Sequence, residues 1–191
     1  MKDFSRGFIS EKDKTEWISK SLKSIQLPFS FYVNVNKVGE KTISLENEKL
    51  KSDNSKFVQL EESGSGLQTL MPLFSSLYDA RGLKYRNFYI EEPENRLHPS
   101  IQGNLIEFLS NYGRENRHHF IIETHSEHFI LRLQKLIRKG IMKPNEVTVN
   151  YVYIDEDNSS SVDHMSLDEN GDFINSWRDG FFDDRLKELD D

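Results

Sequence analysis

The 191-residue sequence contains no cysteine, which excludes disulfides and thiolate metal sites and suits a reducing cytoplasm, the location expected here. Long hydrophobic runs are also missing. No stretch of about 18 apolar residues occurs, so no segment reads as a membrane-spanning helix, and the opening MKDFSRGF lacks the apolar core of a secretory leader. Positive charge is in deficit, with 25 basic against 32 acidic side chains and a formal net charge of -7. That balance argues against indiscriminate nucleic-acid binding and leaves room only for a local basic face. Internal repeats and low-complexity tracts are absent. What remains is a soluble globular composition, 36% hydrophobic and 12% aromatic, sufficient for one domain or one large fragment of a domain.

Hydrophobic spacing organises the chain. Ile18, Leu22 and Ile25 recur at helical intervals over residues 11–25, and Pro28 closes that segment. FSFYVNV then alternates, with Phe29, Phe31, Val33 and Val35 on one face, as a half-buried strand does. KTISL and KFVQL are shorter strand candidates, so residues 29–60 predict a small antiparallel sheet. After Gly64 and Gly66 the period lengthens: Leu67, Leu70, Met71, Phe74, Leu77 and Tyr78 predict a helix, which tolerates Pro72 only near its first turn. NFYI is an apolar strand ending in acids, Pro99 opens a helix carrying Ile101, Leu105, Phe108 and Leu109, and HFIIETHS is a buried strand ending in polar residues. A further helix buries Phe129, Ile130, Leu133, Leu136 and Ile137 and ends at Gly140. VTVNYVYID and SVDHMSL predict a hairpin, and WRDGFFDD closes the chain. The alternation over residues 64–155 predicts an α/β fold with a parallel sheet, whose functional groups gather at the carboxyl ends of its strands. The expected divisions are 1–60, 61–155 and 156–191.

Two clusters stand at such ends. In FYIEEPENRLHP, three apolar residues deliver Glu91 and Glu92 to a strand tip and Pro93 stops the strand. Neighbouring strand residues face opposite ways, so the carboxylates suit different tasks. One can hold magnesium alongside phosphate oxygens; the other can orient or deprotonate a water attacking a γ-phosphate. A strand end with solvated acids is the plain alternative for a bare pair. In FIIETHSEHF, His125 can contact a γ-phosphate and report its presence, or simply serve the loop, with Thr124 or Ser126 capping the next helix. A third segment, EESGSGLQTLMPLF, places glycines and a serine before a helix, where backbone N–H groups can meet an anion. The string GxxxxGK[ST] occurs nowhere in the sequence. His118, His119 and His128 lack a convincing metal-ligand spacing, and the His118–His119 pair reads as surface.

Taken in this order, the segments resemble the C-terminal half of ABC-type ATPases, in the branch that contains overcoming-lysogenisation-defect nucleases, RecF-like and SMC-like proteins. They are most similar to a bacterial group of AAA family ATPases ending in ETHSEH and GFFD segments. The resemblance spans residues 57–184. It implies a partial P-loop ATPase sheet with flanking helices, an antiparallel β region near the N-terminus and a C-terminal hairpin. ESGSGLQTLMPL matches the signature region, FYIEEP Walker B, ENRLHP the D-loop region and ETHS the switch histidine. Carried over, Ser65 and Gly66 meet the γ-phosphate of a nucleotide held on a partner subunit, Glu91 takes the magnesium-associated position, Glu92 is the catalytic base and His125 the switch. Glu91 replaces the aspartate usual in ABC Walker B motifs, and Asn95 and Arg96 stand where relatives often carry leucine or histidine. ATP and magnesium are the implied ligands. A Walker A half or partner subunit is the implied complement, with an ATP-bound dimer and a DNA or nuclease partner by analogy. A non-catalytic dimerisation or adaptor module, or a truncated remnant, is the alternative from a different functional class.

Overall fold

The chain turns first into a helix for reasons visible along it. Glu11 and Asp13 complement the positive end of α1 (Glu11–Ser24) and Lys23 its negative end, while Ile18, Leu22 and the following Ile25 are buried. The computed structural model describes residues 11–50 and 57–178; the GFFD segment lies outside them. These residues form two compact units, one extending to His125 and the other beginning at Ser126.

In the first unit, β1 (Phe29–Val35), β2 (Lys41–Asn47) and β3 (Phe57–Gln59) form an antiparallel sheet in that order, as the alternation predicts. The Ser19 hydroxyl of α1 accepts a hydrogen bond from the Phe31 N–H at 2.8 Å, which ties the helix to the sheet. A 3₁₀ turn, Leu60–Glu62, leads into α2 (Ser65–Asp79), followed by β4 (Asn87–Glu91), α3 (Pro99–Asn116) and β5 (His119–Glu123). Helices supply most of the core, with Leu70, Phe74 and Leu77 of α2 and Leu105 and Leu109 of α3 fully buried, and Leu45 of β2 is fully buried as well. Trp17 of α1 meets the rings of Phe74, Tyr78, Phe108 and Tyr112 edge-on or tilted. α3 starts with Pro99 in its first turn, capped by His98, and stops where Arg117 turns left-handed.

β4 and β5 run parallel, with Asn87 opposite His119 and Glu91 opposite Glu123. Their alternating burial leaves one face bare: Tyr89 is 74% and Ile121 55% exposed. The opposite side, formed by Phe88, Ile90, Phe120 and Ile122, is partly buried, with the Phe120 ring against Tyr112 of α3.

The second unit contains α4 (Glu127–Arg138), capped by the Ser126 side chain, and a hairpin of β6 (Val149–Ile154) with β7 (Ser160–Met165). Arg138 reaches Asp172 at 2.9 Å and the Asn170 carbonyl at 3.0 Å, fixing the turn around Gly171. Gly171 has φ +77°, and a Cβ there would lie 2.4 Å from the Gln134 carbonyl.

The mixed α/β expectation holds, with its parallel pair, N-terminal antiparallel sheet and C-terminal hairpin. Pro72 does not lie near a helix start: α2 begins at Ser65 and carries Pro72 in its interior. The periodicity ran back through Leu67, and a solvent-facing proline is accommodated there without its N–H. No described helix is long and apolar enough to cross a membrane.

Candidate functional site

The tips of the two parallel strands bring the principal candidates together. Just past β4, Glu92 adopts φ 40°, a left-handed conformation uncommon outside glycine, while its N–H bonds the Glu123 carbonyl at 2.9 Å. The chain leaves the strand there, and the Glu92 carboxylate turns toward β5. His125, two residues past β5, places Nε2 3.6 Å from Glu92 Oε1. The imidazole is 74% exposed and the carboxylate 44%, so both groups remain open to a ligand. Asn95 Nδ2 donates to the other oxygen, Glu92 Oε2, at 3.3 Å.

Glu91 faces elsewhere. It ends β4 on the bare side of the sheet, opposite Glu123 across the strand pair. Two carboxylates on one face are hard oxygen donors, and magnesium commonly takes one or two of these together with phosphate oxygens rather than a protein cage. The donor chemistry fits. Among the described residues, no group of three or more His, Cys, Asp or Glu side chains forms a metal site.

Ser65 and Gly66 open α2, and the Gly64 cap supplies no side-chain hydrogen bond to the first turn, whose N–H groups are thus left uncapped by a side chain. Gly66 lies against the turn after Glu92: a Cβ would sit 2.8 Å from the Arg96 carbonyl oxygen and 2.8 Å from Leu97 Cδ2. The helix start is therefore seated on the segment that carries the carboxylates.

Sequence reasoning missed Glu94. It is 6% exposed, and its Oε1 accepts from the Thr124 hydroxyl at 2.5 Å and the His125 N–H at 3.0 Å. A third acid in the string EEPE was its only trace in the sequence. His118 is a correction: it is buried at 6% exposure, against the surface expectation. Left-handed Arg117 reverses the chain and the His118 N–H bonds the Gly113 carbonyl, driving the ring between Tyr112 and Phe88. Its Nδ1 accepts from the Arg86 N–H at 3.3 Å. His119 and His128 are exposed.

Comparison with known proteins adds family context. A family model described as an AAA ATPase domain matches residues 3–130, and one described as a protein of unknown function (DUF3696) matches residues 142–191. No curated protein matches the chain. Among solved structures, one from work on ATP-driven dimerization and DNA-stimulated activation of SMC ATPases aligns at TM-score 0.63 and 12% identity, covering 94% of this chain and 92% of that one. An SmcHead bound to the C-winged helix domain of ScpA aligns at 0.61 and 13%, covering 83% of this chain and 44% of that one. An Smc head domain with an extended coiled coil from Pyrococcus furiosus, bound to the C-terminal domain of ScpA, aligns at 0.59 and 12%, covering 94% and 37%. The chain thus spans less than half of the last two, and at these identities the likeness is one of fold.

Proposed function

The chain belongs to the AAA ATPase domain family, whose model matches residues 3–130, and from that premise we propose that it supplies the signature, Walker B and switch-histidine parts of an ATP-hydrolysing site. A Walker A segment, carried by a partner subunit or by a longer chain that includes these residues, completes the site. The reading rests above all on one observation: Glu92 and His125, 33 positions apart in sequence, meet at 3.6 Å on adjacent strand tips.

Each group has a task that its surroundings suit. Glu92, steadied through Oε2 by Asn95, accepts the proton of the water that attacks the γ-phosphate. His125, open to solvent beside it, contacts that phosphate and registers its presence. Ser65 and Gly66 present the start of α2 to the γ-phosphate of a nucleotide bound on a second subunit. Glu91, with Glu123 across the strand pair, holds magnesium, which when bound neutralises charge on the phosphate oxygens. The chain alone lacks the glycine-rich loop and lysine that cradle the remaining phosphates.

The bare face of the β4–β5 pair supports the need for a complement. Parallel sheets in α/β folds are covered on both faces, and Tyr89 and Ile121 lie open. Sedimentation velocity tests the assembly. The full chain carrying Glu92→Gln, mixed with a Walker A-bearing protein, should associate only when ATP and magnesium are present, because binding proceeds and hydrolysis does not. Sedimentation unchanged by ATP contradicts the ATPase reading and favours a non-catalytic adaptor.

A further inference from the structure

We propose that Glu94 is a positioning residue, which clamps the histidine-bearing loop after β5 to the turn after β4 and thereby sets the Glu92–His125 geometry. A single carboxylate oxygen takes both the Thr124 hydroxyl and the His125 N–H. One of these donors is the backbone of the switch candidate itself, and the other belongs to the residue before it. A carboxyl oxygen carries two lone pairs, enough to accept from both donors at once. The clamp is also stiff at its own end: the Leu97 N–H bonds the Glu94 carbonyl at 3.0 Å and the Asn95 N–H the Glu92 carbonyl at 2.9 Å. Glu94 and Glu92 therefore move as one turn.

The second oxygen sets a cost against this arrangement. Glu94 Oε2 is buried and has no hydrogen-bond partner among the described residues. An unpaired buried carboxylate oxygen costs free energy, and each such exception in a folded protein asks for a reason. Placing His125 against Glu92 supplies one. The catalytic consequence rests on the ATPase reading above; the clamp does not.

Two readouts separate them. In the full chain, amide hydrogen exchange of His125 followed by NMR reports the clamp without any nucleotide. Glu94→Ala should speed exchange at His125 about tenfold or more, whereas Glu94→Gln, whose amide oxygen still accepts both bonds, should keep it slow. Thr124→Val removes the hydroxyl donor to Glu94 and provides a milder variant should the alanine protein unfold; its His125 exchange should rise by a smaller factor. In a complex completed by a Walker A partner, Glu94→Ala should lower kcat about 10- to 100-fold with little change in KM for ATP, and Glu94→Gln should restore most of it. Unchanged His125 exchange in both Glu94→Ala and Thr124→Val overturns the clamp. Equal losses of kcat in the alanine and glutamine variants, with His125 exchange still slow in the glutamine protein, overturn the positioning role, since charge and not geometry would then matter. Altered exchange in a complex that never hydrolyses ATP supports the clamp and contradicts the ATPase reading instead.

Discussion

Gly66 and Tyr112 show how single positions bear on the site and on its support. A methyl group at Gly66 would press on the Arg96 carbonyl, which belongs to the backbone and cannot rotate aside. Gly66→Ala should therefore lower stability by about 1–3 kcal/mol, the usual range for overpacking, and a thermal melt of the variant reads this directly. Tyr112 donates to the Leu77 carbonyl from inside the helical core, and burial pushes its pKa from 10 up to about 12. The folded state thus holds this proton more tightly than the unfolded chain. Its stabilising contribution is complete below pH 10 and disappears as pH rises from 10 toward 12. The melting temperature should fall across that window, and Tyr112→Phe should flatten the fall; an unchanged slope would count against Tyr112 as its source. Buried Tyr78 is shifted in the same direction, by burial first. At this scale the sequence was legible where a residue type implied its exposure. That glutamates at one strand tip and a histidine after the next strand stay accessible was readable in this way. Glu94 and His118 were not, because ionisable side chains are rarely buried and nothing in their type announces it.

Elements were readable where one period persisted. α1, α3 and α4 follow from apolar residues at intervals of three and four, and β1 from alternation. The facing of β4 and β5 was not readable, since a run such as NFYI or FIIE looks the same whether one side or both are covered. Pro72 is the other lesson. Its N–H is missing from the interior of α2, so the carbonyl one turn back loses its usual partner. Proline disfavours a helix interior by about 3 kcal/mol relative to alanine, and the site is exposed. Pro72→Ala should raise stability by about 1 kcal/mol or more in a chemical denaturation experiment. A loss of stability would mean that Pro72 is needed to seat the start of α2 on the turn at Arg96 and Leu97.

For the chain as a whole, the fold likeness to SMC ATPase heads and the AAA ATPase family match point the same way. Among the described residues, β4 and β5 form one two-stranded sheet and β6 and β7 another. The parallel pair has only two strands among the described residues, so the alternation of helix and strand over 64–155 indicated the class of fold but not how many strands would join one sheet. Strand number depends on pairing across distant segments, which leaves no periodic trace within any one of them.

ATP turnover in the completed assembly is the measurement that bears most directly on the central claim. Negligible hydrolysis is expected of the full chain alone, hydrolysis once a Walker A-bearing partner is added, and a loss of about 100-fold or more with Glu92→Gln. Robust hydrolysis by the chain alone, or turnover that survives Glu92→Gln in the complex, would contradict it.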